Sequence, residues 1–162
     1  MNKKNNFLFF LFTIILLASC SKENVYVYEV NDISLKQQGT NKPNVKTTVE
    51  FISIAYSDIF GKTISQTDLT ILSQAYISFG DTKVIEDLII RNFLNRPNTL
   101  PSKTDMTNDV AKFVRDTYKK LLNREPDEFE SWFMIKLIQS DNTLTPELFY
   151  YAILTSNEYR YY

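Results

Sequence analysis

Four carboxylates crowd one short stretch of the sequence, Glu125, Asp127, Glu128 and Glu130, and they are the first candidates for chemistry. Paired carboxylates can serve as acid and base in hydrolysis, or can bind Ca²⁺. A calcium loop places oxygen ligands at alternate positions with a glycine at the turn, and this stretch lacks that spacing. Pro126 and the acids instead fit the start of a helix. We therefore expect a solvated helix start and no metal.

Other catalytic patterns are limited by composition. The chain has no histidine, one cysteine and three glycines in 162 residues. Ser-His-Asp and Cys-His arrangements and histidine-rich zinc sites are therefore excluded, and glycine loops that cradle phosphate are absent. A serine activated by lysine stays formally open, although no motif marks it. The sequence predicts a protein that is not an enzyme and that needs no cofactor.

The single cysteine, Cys20, follows an apolar run of about a dozen residues after a basic start, Met1 to Lys4. That run is too short for a membrane-spanning helix and has the layout of a signal peptide over 1–19. Leu17-Ala18-Ser19-Cys20 resembles the lipobox of bacterial lipoprotein precursors. The resemblance implies a lipid on Cys20 and a mature chain that begins there. The alternative is an ordinary secretory signal with a cysteine at its cleavage site.

A lipid on Cys20 would make the membrane the first partner. Acyl chains anchor a protein without a spanning helix. Because no aspartate follows Cys20 directly, we expect a lipid-anchored protein of the cell envelope, in the outer membrane. After removal of 1–19, 16 basic and 19 acidic side chains remain, a net charge of −3. No basic patch is evident, so we expect no nucleic-acid partner.

Residues 20–46 are mostly polar and are predicted to form a flexible tether. Within it, Val25 to Val30 is β-branched and aromatic, as in extended segments. Two interpretations stay open for this piece. It lies along the helical body or remains mobile, or it pairs as an edge strand with another protein.

A first helical unit is predicted over 47–98, because apolar residues there recur at three- and four-residue steps. The first helix, 46–60, ends at Gly61, the second runs from Ser65 to about Phe79, and Asp81 caps the third. The apolar sets of the three helices are Val49, Ile52, Tyr56, Ile59 and Phe60; Leu69, Leu72, Tyr76 and Phe79, pointing inward; and Val84, Ile85, Leu88, Ile89 and Phe93.

A linker over 99–106 precedes a second predicted helical unit, 107–162. Asp109 offers a cap for its first helix, which ends near Asn123, and Thr145-Pro146 begins its last. The sequence from Phe51 to Gly61 aligns with the sequence from Phe113 to Asn123 at a shift of 62 residues. The fold class predicted is therefore all-α, a bundle of about six helices in two tandem three-helix units.

The second unit resembles a helical bacterial domain of unknown function that is related in pattern to phycobilisome linker domains. The matching elements are Tyr118, Leu121-Leu122, Arg124, Pro126, Asp127, Trp132 and Ser156 with Glu158-Tyr159-Arg160. Asn123 and Ser131 depart from the family's usual glycine and tyrosine. The resemblance implies a helical, non-enzymatic module in secreted or surface proteins.

The same residues have structural interpretations of their own. We expect Arg124 and the neighbouring acids to stabilise a corner between two helices, Trp132 to be buried, and Tyr159 to pack on the core. An exposed aromatic patch that contacts a sugar or a protein is the alternative for the tyrosines, namely Tyr26, Tyr28, Tyr150, Tyr151, Tyr159, Tyr161 and Tyr162. The function predicted is a protein-interaction or assembly module with an unidentified envelope protein as partner. The alternative is an enzyme or enzyme accessory that acts on envelope or extracellular polymers, with the acids between Arg124 and Glu130 near the chemistry.

Overall fold

The computed structural model describes residues 43–161, and every regular element in that range is helical. Its helices are α1 (Thr48–Phe60), α2 (Gln66–Ser78), α3 (Thr82–Leu94), α4 (Lys103–Asn108), α5 (Val110–Leu122), α6 (Glu128–Ser140), α7 (Pro146–Leu154) and a closing 3₁₀ turn (Glu158–Arg160). The predicted all-α class is confirmed. The predicted signal peptide, Cys20 and the segment from Val25 to Val30 lie outside the described residues.

The predicted helix boundaries are set by side-chain caps. Ser65 accepts a hydrogen bond from the amide of Asp68 at the start of α2, and Asp81 accepts two amides at the start of α3. Asp109 caps α5 and Thr145 caps α7. Each cap satisfies an amide that has no partner within its own helix, so each of these predicted starts is confirmed.

Helix α4 was not predicted. It lies in and just beyond the segment 99–106, which was predicted as a linker, and it begins with a capping box in which Ser102 and Asp105 bond each other's backbone amides. Met106 anchors it, with 1% of its surface exposed. One buried side chain and a reciprocal cap are enough to fold six residues here because neighbouring helices supply the packing.

The apolar side chains form one core to which all seven described helices contribute. Helix α1 packs against α2 and α3, α5 packs against α4, α6 and α7, and α3 packs against α7. The contact between α3 and α7 joins the two predicted units, so their helices share this core. The predicted internal repeat stays a prediction.

Five positions expected on buried faces are exposed instead. Val84 and Leu88 on α3 each leave 49% of their surface exposed. Val49 on α1 and Phe79 after α2 each leave about half of their surface exposed, and so does Trp132 on α6. Phe79 is the residue at which α2 ends in an extended conformation, so its ring no longer follows the helical stripe. The prediction that Trp132 is buried was wrong.

The two ends of the described chain meet. Val45 and Tyr161 form an isolated antiparallel bridge, and the Lys46 amide donates to the Arg160 carbonyl at 2.8 Å. Lys46 is buried, so the last residues of the predicted tether, 20–46, belong to the helical body. Among the helices between residues 43 and 161, none has both the length and the apolar character that crossing a bilayer requires.

Candidate functional site

The predicted corner between α5 and α6 is built around Arg124. Asn123 ends α5 with a left-handed backbone (φ 55°), which turns the chain so that Arg124 leaves the helix. Its guanidinium donates to both carboxylate oxygens of Glu130 at 2.6 and 2.7 Å and to both of Glu158 at 2.6 and 2.7 Å. Two such two-point contacts fix α6 and the closing turn against the end of α5.

The pKa values of Arg124 and Glu130 at this corner are shifted mainly by the hydrogen bonds between the two side chains. The Arg124 side chain is only 14% exposed. Its bonds to Glu130 and Glu158 raise the pKa of Arg124, and its guanidinium lowers the pKa of Glu130. The Tyr118 ring lies next to this guanidinium, with its centroid 5.3 Å from the Arg124 Cζ. Burial, followed by the charge of Glu130, raises the pKa of Tyr118 to about 12.

Asp127 and Pro126 complete the corner. Asp127 accepts the amide of Glu130 at 2.7 Å and donates its own amide to the Glu130 carboxylate at 2.8 Å, which is a capping box. Pro126 is half-buried in the connection. We name Tyr118, Arg124, Asp127, Glu130 and Glu158 the arginine corner. Four of these five, all except Glu130, were predicted as site residues from the sequence. The structure brings them together.

Trp132 lies apart from the arginine corner, on the outer side of α6. Phe129, Trp132 and Phe133 are 69%, 54% and 46% exposed. The Phe129 ring centroid is 6.0 Å from that of Trp132 and 6.2 Å from that of Phe133, and Lys136 Nζ is 5.1 Å from the Trp132 ring. We name Phe129, Trp132, Phe133 and Lys136 the aromatic face.

The aromatic face follows the helical period. Positions 129, 132, 133 and 136 have the i, i+3, i+4, i+7 spacing of one side of a helix. Ile138 is the residue of α6 that is fully buried, and α6 packs mainly against α5. A groove of 460 Å³ lies along this side, lined by Trp132, Phe133, Lys136, Leu137, Gln139 and Ser140. Helix α6 therefore has apolar residues on two sides, of which only one contacts the core.

Three of the tyrosines considered for an aromatic patch are internal. Tyr150 and Tyr159 are buried and Tyr151 is half-buried. The Tyr151 hydroxyl bonds Asp87 and accepts from Arg91 across the contact between α3 and α7. Tyr150, Tyr151 and Tyr159 therefore do not form an exposed patch, whereas Tyr161 is 39% exposed. Tyr26, Tyr28 and Tyr162 lie outside the described residues.

A second cluster of polar side chains, which was not predicted from the sequence, surrounds Tyr159. The expectation that Tyr159 packs on the core is confirmed, because it has no exposed surface. Its hydroxyl donates to Asp58 at 2.7 Å, and Lys46 Nζ donates to its carbonyl oxygen. Burial is the largest cause that raises the pKa of Asp58, and the bond from Tyr159 opposes it.

Beside it, Glu86 is buried and meets Arg160 at 2.5 Å between Oε1 and Nη1. The Tyr76 hydroxyl also donates to this carboxylate and accepts from Arg160 Nη2 at 3.2 Å. We name Lys46, Asp58, Tyr76, Glu86, Tyr159 and Arg160 the tail network. One signal was available, because Glu86 shares the stripe of Ile90 and Phe93 on α3 and a charge there requires a partner.

A groove of 260 Å³ beside α5 is lined by side chains of both charges, including Asp105, Asp109, Lys112 and Asp116. Its acids have local partners: Asp105 and Asp109 cap helices, and Asp116 pairs with Lys112 at 2.6 Å. Between residues 43 and 161, no group of three or more histidine, cysteine, aspartate or glutamate side chains could hold a metal ion.

In comparisons with known proteins, no family model matches this sequence, and no curated protein or solved structure matches it either. The resemblances to a lipoprotein precursor and to the helical bacterial domain therefore stay predictions.

Proposed function

We propose that this protein is a lipid-anchored component of the bacterial cell envelope, with Cys20 as its attachment point, and that it acts as a non-enzymatic protein-interaction module through the aromatic face. The single observation that carries the interaction role is the exposure of Phe129, Trp132 and Phe133 on one side of α6. Aromatic residues are enriched where proteins contact each other, and the largest exposed apolar patch of a monomeric protein is often functional.

The three rings present a substantial apolar area to water. At about 200 Å² per aromatic side chain, their exposed fractions correspond to roughly 340 Å². Apolar surface gains about 25 cal/mol per Å² when it is removed from water, so covering the rings contributes several kcal/mol before the costs of association. A tryptophan at the centre of such a surface is a typical energetic anchor.

The alternative function, an enzyme or accessory that acts on polymers with the acids near Arg124, receives less support. A general acid in glycoside hydrolysis needs a raised pKa, whereas Arg124 lowers the pKa of Glu130. Asp127 is engaged as the cap of α6. Glu128 is the acid of this group whose side chain is exposed without such a role.

Photo-crosslinking in intact cells tests the interaction role. A photoreactive amino acid at position 129 should give a defined protein adduct of higher mass upon irradiation. The matched control is position 77 on α2, where Ile77 is 77% exposed, and no such adduct is expected there. Absence of an adduct at 129, or equal adducts at both positions, would contradict the proposal.

Fractionation tests the anchor. The substitution Cys20→Ser removes the sulfur that would carry the lipid, so the protein should move from the membrane fraction to the soluble fraction. A Ser21→Ala variant is the matched control and should remain with the membrane. If the Cys20→Ser protein also remains with the membrane, the lipid anchor is wrong.

A further inference from the structure

The outer side of α6 carries two charges without a partner of opposite sign. Among residues 43–161, Glu128 has no ion-pair partner, and Lys136 contacts the Trp132 ring but no carboxylate. The two side chains are eight residues apart, on either side of Trp132. An occupant of the aromatic face therefore has to offer an apolar centre, a cation near Glu128 and an anion near Lys136.

From these positions we infer that a second copy of this chain covers the aromatic face, with the two α6 helices antiparallel about a two-fold axis near Trp132. This inference rests on the interaction role proposed above and names its partner.

The residue numbers along α6 fix which side chains of the two copies lie opposite each other. In an antiparallel pair centred on position 132, residue 128 of one helix lies opposite residue 136 of the other, and the reverse pair occurs at the other end. Glu128 of each copy thus meets Lys136 of the other, which gives two ion pairs across the interface. Residues 129 and 133 flank the axis and bring the phenylalanine rings of both copies beside the two tryptophans.

Two-fold symmetry is the ordinary form of such an interface, because a single surface patch then has to complement only itself. Packed helices approach to about 8–10 Å, a distance that aromatic side chains on both sides fill. The roughly 340 Å² of exposed ring surface per copy compares with about 800 Å² per partner in a stable interface. The remainder must come from Lys136, Leu137, Ser140 and the side chains around the groove.

A lipid surface is the competing occupant, since an anchored protein lies near one. Helices that lie in the membrane interface carry lysine and arginine on their polar side. The start of α6 instead carries Asp127 and Glu128, which anionic headgroups would repel. The charge pattern therefore favours the second copy.

Co-purification of two differently tagged full-length copies from one cell, solubilised in mild detergent, tests this inference. The wild-type copies should co-purify. Trp132→Glu in both copies should reduce the co-purified fraction at least about ten-fold, because it removes the central anchor. Ile77→Glu, at an apolar position on α2 that is more exposed than Trp132, is the matched control and should leave the fraction unchanged.

The charge pair sets the register and allows a rescue experiment. Glu128→Lys alone places two lysines opposite each other, and Lys136→Glu alone places two glutamates there. Each should reduce co-purification about five-fold. The double variant Glu128→Lys/Lys136→Glu restores both pairs and should recover the wild-type fraction. If the singles reduce pairing and the double does not recover it, the antiparallel register is overturned.

Three further outcomes overturn the inference, with different consequences for the proposed function. If wild-type copies do not co-purify while position 129 still crosslinks to a different protein, the second copy is wrong and the interaction role stands. If the full chain carrying Cys20→Ser binds phosphatidylethanolamine–phosphatidylglycerol vesicles through Trp132 and does not pair, the occupant is lipid. If co-purification is insensitive to Trp132→Glu and position 129 gives no adduct, both proposals fail.

Discussion

Glu130 and Phe129 are neighbours on α6, yet their surroundings are opposite. Glu130 points into the arginine corner, where both of its oxygens accept bonds from Arg124. Phe129 is 69% exposed, and its ring contacts are with Trp132 and Phe133 on the same helix. One turn of the helix thus holds a carboxylate bonded inside the fold and, next to it, an exposed ring whose aromatic pairs lie on the same helix.

The arginine corner stabilises the fold, whereas the aromatic face exposes apolar side chains on the surface. The arginine corner sets the direction in which α6 leaves α5, because Arg124 ties α6 and the closing turn to one point. The aromatic face has no equivalent task inside the described chain. If this division is right, substitutions at the corner should cost stability and substitutions on the face should cost association, and each of the following predictions tests one side of it.

The largest effect is expected for Arg124→Ala. It leaves two partly buried carboxylates without their donors, and the free energy of unfolding should fall by about 3 kcal/mol. Chemical denaturation measures this value. The matched control is Arg115→Ala on α5, an exposed arginine 3.8 Å from Asp116, which should change stability by no more than about 0.5 kcal/mol. Equal losses in the two variants would contradict the structural role of the corner.

A smaller, pH-dependent effect is expected for Glu130→Gln. The folded protein holds the pKa of Glu130 below its ordinary 4.5, mainly through Arg124. Its stabilisation is therefore present above about pH 4.5 and is lost as the pH falls through the lowered pKa. The wild type should exceed the variant by about 1–2 kcal/mol at pH 7, and this gap should close in acid.

Denaturation curves at several pH values measure this gap. Glu128→Gln is the control on the same helix, and because its side chain is exposed this variant should differ from the wild type by no more than about 0.5 kcal/mol. A Glu130→Gln gap that persists below pH 3 would show that packing, rather than the ion pair, carries the effect.

The fold could largely be predicted from the sequence because its signals are local. Caps such as Ser65 and Asp109 and the apolar period define helix ends and faces over a few residues. Helix α4 was missed because Pro101 and a run of polar residues outweighed the capping box at Ser102. The pairing of Val45 with Tyr161 joins residues far apart in sequence, and no local pattern indicates it.

The candidate site could be predicted only in part, for the same reason. Arg124, Asp127 and Glu158 were selected, but the sequence does not say that one guanidinium bonds Glu130 and Glu158 together. Trp132 was misassigned because α6 is apolar on two sides, and periodicity alone cannot tell which side meets the core. Asp58 and Glu86 were missed since their partners come from the ends of the chain.

A further effect of about 1 kcal/mol is expected at Asn123, the residue that aims Arg124. Its left-handed backbone is tolerated by asparagine and glycine and costs other residues about 1–2 kcal/mol. Asn123→Ala should therefore lower stability by about 1 kcal/mol, while Asn123→Gly should change it little. Thermal denaturation of both variants measures the difference, and equal losses would show that the side chain rather than the backbone matters.

The smallest effect on the free energy of unfolding is expected for Trp132, although its ring is the largest on the aromatic face. Trp132→Ala should change the free energy of unfolding by no more than about 0.5 kcal/mol, measured at a concentration low enough that copies do not associate. Phe93→Ala is the control: that ring is fully buried beside Tyr56 and Phe60, and its loss should cost about 3–5 kcal/mol. A cost above about 2 kcal/mol for Trp132→Ala would mean that its ring stabilises the isolated fold. A negligible cost together with lost pairing would mean that the tryptophan serves a contact outside the chain.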